Sequence, residues 1–314
     1  MTDFTVVQEK STYFCVLTTN YRLLFVFLQN KSNCIGMNSI ESLAKTPFYV
    51  ITCVLDDFAR LDDVRRVYNR NNRNKIPPRL PHEQCLNTVR TIIMGITSAL
   101  SYMQLSIMQI QKKYNTRYYA EMGYTAYDYY RYHYQVFCHG IATIHDLYFK
   151  LIVELCDLNI GSKRMIQWED LSKVLRLKGE DEFIALLEAY YSKFKEHEQK
   201  RNKVAHEGLI YSDMLDNYYL TNIWSRVPKN PSSTSNRPEY IVGTKENKYL
   251  LAKTKKAFVG ELNSLIESAV GFTESFLELL LSKLIHKMNP SFIESHRQEL
   301  AELNIEYVNK YLLS

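Results

Sequence analysis

Glycine and proline are scarce in this chain, ten and eight of 314 residues. Breakers that rare leave long uninterrupted runs, which favour helices over many short strands. There is no glycine-rich phosphate-cradling loop, no Gly-x-Ser-x-Gly elbow and no internal repeat, so a nucleotide loop, a hydrolase nucleophile turn and a solenoid are not spelled out. The six cysteines, Cys15, Cys34, Cys53, Cys85, Cys138 and Cys156, are scattered without a Cys-x-x-Cys pair. They read as reduced thiols, which points to a cytoplasmic setting. Cys138, His139 and His145 lie close together, but no second closely spaced pair completes a zinc set, so they read as buried helix residues. No cofactor or metal is called for. The first residues do not read as a secretory signal, because Asp3 and Glu9 come early and no basic segment precedes an apolar block. Tyr13 to Leu28 is apolar and aromatic but interrupted by Asn20 and Arg22, too short and broken for a membrane span, so no membrane partner is expected.

What is present is an ordinary globular composition, 46% apolar and 23% charged, on a chain long enough to bury a large core. The net charge of +5 permits a nucleic-acid partner without demanding one.

Residues 1–35 fit either a buried helix or a pair of short strands around Thr18-Thr19-Asn20, with helix preferred. A helix from Ser39 to about Asn69 breaks or restarts at Pro47, with Ser39 as its cap. Its apolar stripe is Phe48, Ile51, Leu55, Phe58 and Leu61. Its polar side gathers Arg60, Arg65, Arg66 and Arg70 and leads into a basic linker, Asn71 to Pro81. These cations read either as an RNA-backbone contact or as a solvated face, and Asp56, Asp57, Asp62 and Asp63 offset much of the charge. An N-terminal, mainly helical region is therefore expected over residues 1–80, followed by a helical bundle over 81–314.

Pro81 to about Lys113 carries Leu86, Val89, Ile93, Ile96, Leu100, Met103, Ile107 and Ile110, a near-heptad stripe that packs along another helix. Met94, Met103 and Met108 read as core filler. A tyrosine-dense segment follows: Tyr114, Tyr118, Tyr119, Tyr124, Tyr127, Tyr129, Tyr130, Tyr132 and Tyr134, interleaved with Lys112, Lys113, Arg117 and Arg131. It fits a helix junction or dimer surface, or a platform for stacked bases. A second long helix is expected from Tyr124 to Leu158, with Val136, Ile141, Ile144, Leu147, Leu151 and Leu155 as its face. A short helix from Trp168 to Leu175 precedes another that opens at Gly179-Glu180-Asp181. Beyond it lie a short helix over Leu209 to Trp224, an exposed loop over 226–248, a long helix over 249–288 stopped by Asn289-Pro290, and a terminal helix from Phe292 to Leu313.

The helix opening at Asp181 carries the chemistry. Phe183, Leu187, Tyr190 and Phe194 form its apolar stripe, and seven residues further the stripe meets Arg201. A guanidinium on a core-facing stripe needs partners or an open cleft. Asn202 and His206 are four apart and share a face, while Arg201 and His206 point about 140° apart on an ideal helix. Unwinding near Gly208 would bring His206 towards Arg201. A fixed cation, an amide and a titratable imidazole within two turns suit phosphate chemistry, since arginine grips a phosphodiester and histidine moves a proton near neutral pH. The same residues also fit a solvated basic helix end that complements the helix dipole.

Arg201-Asn202-x-x-x-His206 resembles the signature of the HEPN superfamily: Arg, a polar residue that is often Asn, three variable residues, then His. The resemblance implies an all-α helical bundle with an additional N-terminal region and a core over about 124–288. That core would comprise helices over 124–158 and 180–206, a short helix after them, and 249–288. It implies a metal-independent endoribonuclease whose site is composite, with Arg and His from two copies meeting across a twofold axis. The implied catalytic residues are Arg201, His206 and Asn202. His197, Lys200 and Lys203 are candidate RNA contacts, although His197 also fits a surface histidine and the lysines a solvated face. The expected partners are RNA, a second copy and an antitoxin or other partner protein. The role suggested is a toxin or antiviral or stress effector, with a non-catalytic RNA- or nucleotide-binding or assembly module as the alternative.

Overall fold

The computed structural model describes residues 37–69, 79–112, 116–158, 160, 166–207, 212, 213, 215–217, 220 and 245–314. Expectations for residues 1–36, for Arg70 and the linker to residue 78, and for most of 208–244 lie outside them. Eleven helices and no strand occur among the described residues. They are α1 (Met37–Leu43), α2 (Pro47–Asn69), α3 (Pro81–Gln111), α4 (Thr116–Glu121), α5 (Ala126–Leu155), α6 (Trp168–Lys178), α7 (Asp181–Glu207), α8 (Lys245–Lys287), α9 (Pro290–Ser295), α10 (Arg297–Glu302) and α11 (Glu306–Leu312).

Local chemistry sets several boundaries. Ser39 lies inside α1 rather than capping it, and the restart at Pro47 is real. Thr46 accepts the Tyr49 N–H at 3.4 Å, and Pro47, which lacks an N–H, occupies the first helical position. Thr125 and Asp128 cap α5 reciprocally. The Thr125 N–H donates to Asp128 at 3.0 Å, and the Asp128 N–H donates to the Thr125 hydroxyl at 3.2 Å. Helix α6 ends on Gly179 at φ 71°, where the Glu180 N–H reaches Leu175 O and the Gly179 N–H reaches Arg176 O. The single terminal helix expected from Phe292 is instead three short ones, because His296 leaves helical geometry and Asn304 takes a φ of 50°.

The chain divides into two compact units, each built from separated segments. One holds the described residues up to Met94 with Phe149–Val174 and Thr273–Ser314; the other holds Gly95–Tyr148 and Leu175–Phe272. This differs from a boundary at residue 80. Residues 81–94 belong with α2, because Arg90 pairs with the buried Asp56 at 2.7 Å and with Asp57 at 2.6 Å, and Arg66 pairs with the buried Glu83 at 2.7 Å. The α2 arginines are ion-paired within this unit: Arg60 meets Asp56, Arg65 meets Asp62 and Glu299, and Arg66 meets Asp63.

The second unit packs four helical segments: the end of α3, the start of α5, α7 and the start of α8. Gly140 of α5 lies against Met103 of α3. Tyr190 of α7 donates to the Ile141 carbonyl of α5 at 2.9 Å. The Phe194 ring lies 6.1 Å from Phe272 of α8, and Tyr134 of α5 lies 5.3 Å from Phe258 of α8. Phe183, Leu187, Tyr190 and Phe194 are all buried, each worth roughly 1.5–3 kcal/mol by apolar burial. By length and composition α3 and α5 are also apolar enough to cross a membrane, with 50% and 56% of their most apolar windows buried inside the protein.

Candidate functional site

The apolar stripe of α7 continues beyond Phe194 in the same alternation of three- and four-residue steps. The next positions are His197 and then Arg201. His197 is only 6% exposed, which departs from both a substrate contact and a surface histidine. Its ring sits 6.2 Å from the rings of Tyr134 and Phe137, both nearly edge-on, and its Nδ1 has no hydrogen-bond partner among the described residues. Burial and then the Lys200 charge pull its pKa down to about 4, against a smaller opposing effect of Glu196.

Lys200 folds back on the same cluster. Its ammonium donates to the Tyr134 hydroxyl at 3.1 Å, lies 5.5 Å from the centre of that ring and pairs with Glu196. Hydrogen bonding and charge from Lys200 hold Glu196 below its usual carboxylate range. Cys138, hydrogen-bonded to Tyr134, is pushed up to about 12 by burial, so it stays a thiol. Lys200 is thus engaged with α5 side chains, whereas Lys203 is exposed.

Arg201 lies one turn beyond His197 and is half-buried. Its Nη1 donates to Asn202 Oδ1 at 3.1 Å, which brings together two of the three signature residues. No described carboxylate forms an ion pair with it. Helix α7 runs on through Glu207, so His206 keeps a helical backbone, four residues after Asn202 and on its face. The unwinding that would swing His206 towards Arg201 does not occur before that residue.

Spacing alone missed a further residue beside this pair. His139 of α5 is half-buried, and its pKa is lowered by burial and then by the Arg201 charge. The contacts of Tyr134 with Lys200, of Phe137 with His197, and of the Tyr148 ring with Tyr190 at 5.3 Å pair α5 and α7 in antiparallel register. That register sets Tyr134 and Phe137 against residues 197–200, with His139 further along α5. The signal lay in the Tyr134, Cys138, Ile141 and His145 spacing, which marks the face of α5 turned to α7.

A separate cavity of about 500 Å³ lies in the first unit, lined in part by His82, Cys85, Glu154 and Lys287. None of the signature residues contributes to it. Burial and Glu154 push the Cys85 thiol up to about 12. Among the described residues no group of three or more His, Cys, Asp or Glu is arranged to hold a metal ion. Comparison of the chain with protein-family models, with curated proteins and with solved structures gave no match.

Proposed function

We propose that this protein is a metal-independent endoribonuclease of HEPN type, acting in the cytoplasm as a toxin or an antiviral or stress effector. The supporting observation is the Arg201–Asn202 pair at the half-buried end of the α7 stripe, with His206 one turn further on the Asn202 face. Arginine there offers a planar fork to a phosphodiester, and Asn202 holds that fork in place. In a dimer with a twofold axis one cleft gathers two arginines and two histidines without new sequence. One imidazole takes the proton of the 2′-hydroxyl as its oxygen attacks phosphorus. The bond from phosphorus to the 5′-oxygen breaks, and the second imidazole protonates that leaving oxygen. The guanidinium groups neutralise the charge that builds on the phosphorane. The products are a 2′,3′-cyclic phosphate and a 5′-hydroxyl.

Incubation of total RNA with the purified full chain in EDTA tests this reading. Wild type is expected to cleave, and His206→Ala to lose about 10²- to 10⁴-fold in rate, the usual worth of positioned acid–base catalysis. Arg201→Ala is expected to lose about 10²- to 10³-fold, as for one missing stabiliser of transition-state charge. An inactive wild type, or variants that cleave equally well, removes the enzyme and leaves a non-catalytic RNA-binding or assembly module. Growth arrest on expression that disappears with His206→Ala distinguishes an effector from a housekeeping nuclease.

A further inference from the structure

The tyrosine-dense segment divides into two populations. Tyr130 and Tyr134 are buried. The others include a row of neighbouring rings: Tyr118 to Tyr119 at 5.1 Å, Tyr119 to Tyr129 at 5.1 Å, Tyr129 to His133 at 4.5 Å, and His133 to Tyr132 at 5.3 Å. The row is pinned at its middle, where the Tyr129 hydroxyl donates to Gln109 at 3.0 Å. Both end rings are open to water, Tyr118 at 51% and Tyr132 at 62%. Burial lowers the pKa of His133, so its ring is neutral and suited to stacking.

The row has a direction. Tyr132 and His139 are seven residues apart on α5, which puts them on one line of the helix, about 10 Å apart along its axis. His139 is the imidazole that feels the Arg201 charge. Cations accompany the segment: Lys112 is exposed, and Arg131 lies over the Tyr127 ring at 5.5 Å while pairing with Asp128 at 3.4 Å. Within the row the rings meet edge-on or tilted, so the faces offered to bases are those of the exposed end rings Tyr118 and Tyr132, and aromatic faces near cations suit the bases and phosphates of an unpaired strand. A duplex hides its base faces and has no use for such a row.

We infer that the rings from Tyr118 to Tyr132 form a stacking platform for the unpaired bases of single-stranded RNA, which it delivers to Arg201. The inference rests on the RNA reading of the signature and gives it a substrate class. Tyr132 is the outermost ring, so its substitution leaves the core intact.

The test is fluorescence anisotropy of the full chain with a labelled 12-nucleotide single strand carrying 2′-O-methyl groups. That probe cannot be cut by attack of its own 2′-oxygen, so binding is read independently of cleavage. The comparator is the same strand annealed to its complement. The single strand should bind more tightly than the duplex, and Tyr132→Ala should weaken single-strand binding by roughly 5- to 100-fold, the worth of one base–aromatic stack. Tyr132→Phe should restore it, and Tyr249→Ala, an exposed tyrosine of α8, should match wild type. Equal affinity for strand and duplex overturns the inference. So does unchanged binding by Tyr132→Ala, including the case where that variant alters only self-association by light scattering. A protein that cuts unmodified RNA but ignores Tyr132 sinks the platform and spares the nuclease; one that binds through Tyr132 but cuts nothing does the reverse.

Discussion

Two buried histidines set opposite pH dependences. His296 is 3% exposed and is held by Glu299 at its Nδ1 and Asp62 at its Nε2, both at 2.9 Å, while Arg65 reaches both carboxylates at 3.2 Å. Burial alone would lower its pKa, but the hydrogen bonds and charges of Asp62 and Glu299 prevail and raise it. Burial likewise pushes Asp62 and Glu299 up, and His296 and Arg65 bring both below their ordinary values. A raised histidine contributes fully below its unfolded pKa of about 6.5 and loses that contribution as pH rises through the folded value. The lowered carboxylates contribute above about 4 and lose it as pH falls through their folded values. The cluster is therefore strongest between about pH 4.5 and 6.5, and His296→Gln should lower the urea midpoint more at pH 5.5 than at pH 8.5. His197 runs the other way. Its depressed pKa means stability that is present above about 6.5 and lost as pH falls towards 4. His197→Phe should therefore raise the midpoint relative to wild type more at pH 5 than at pH 7.5. A flat difference between the two pH values would mean that the imidazole is not held neutral by its surroundings.

At the scale of the helix, spacing was a good guide where side chains are purely apolar. Leu86, Val89, Ile93, Ile96, Leu100, Met103, Ile107 and Ile110 are all buried along α3, as their near-heptad steps require. Met94, off that stripe, is 47% exposed and fills no core. On α5 spacing found Ile141, Ile144, Leu151 and Leu155, all buried, but passed over the tyrosines, because tyrosine has an apolar body and a polar tip. Val136 and Leu147 are only half-buried, while Tyr130, Tyr134 and Tyr148 join the core. On α2 the arginines looked available, yet the aspartates three or four residues before them had already claimed them. On α7 the steps that expose Arg201 as an anomaly also pass through His197, and its ring counts as core once the α5 rings are in view. Two glycines test the helix interiors. A Cβ at Gly140 would meet Met103 Cγ at 2.3 Å, and the Ala99 carbonyl closes the space at 3.3 Å, so Gly140→Ala should cost about 1–3 kcal/mol. Gly260 lies in α8 with nothing within 4 Å of a Cβ, so Gly260→Ala should stabilise by about 1 kcal/mol through helix propensity. Thermal melts of the two variants should move in opposite directions.

For the whole molecule, the proposed reaction needs more than one chain supplies. A single copy presents Arg201 tied to Asn202, with His206 on the Asn202 face of the same helix. On an ideal helix Arg201 and His206 point about 140° apart, and α7 stays helical to Glu207, so the proposal takes the second imidazole from another copy. The signature is legible in the sequence because it is local; the proposed cleft is not, because the proposal draws its other half from a second copy. This places a kinetic demand on the protein. If the site is composite, cleavage per chain is constant while the protein is dimeric and falls on dilution below the dimer dissociation constant, approaching proportionality to concentration once monomer predominates. Light scattering over the same range should show the mass falling with the activity. His206→Ala should dissociate at the same concentration as wild type while remaining inactive. Activity per chain that stays constant through the concentration at which the dimer separates would place the complete chemistry within one copy and overturn the shared cleft.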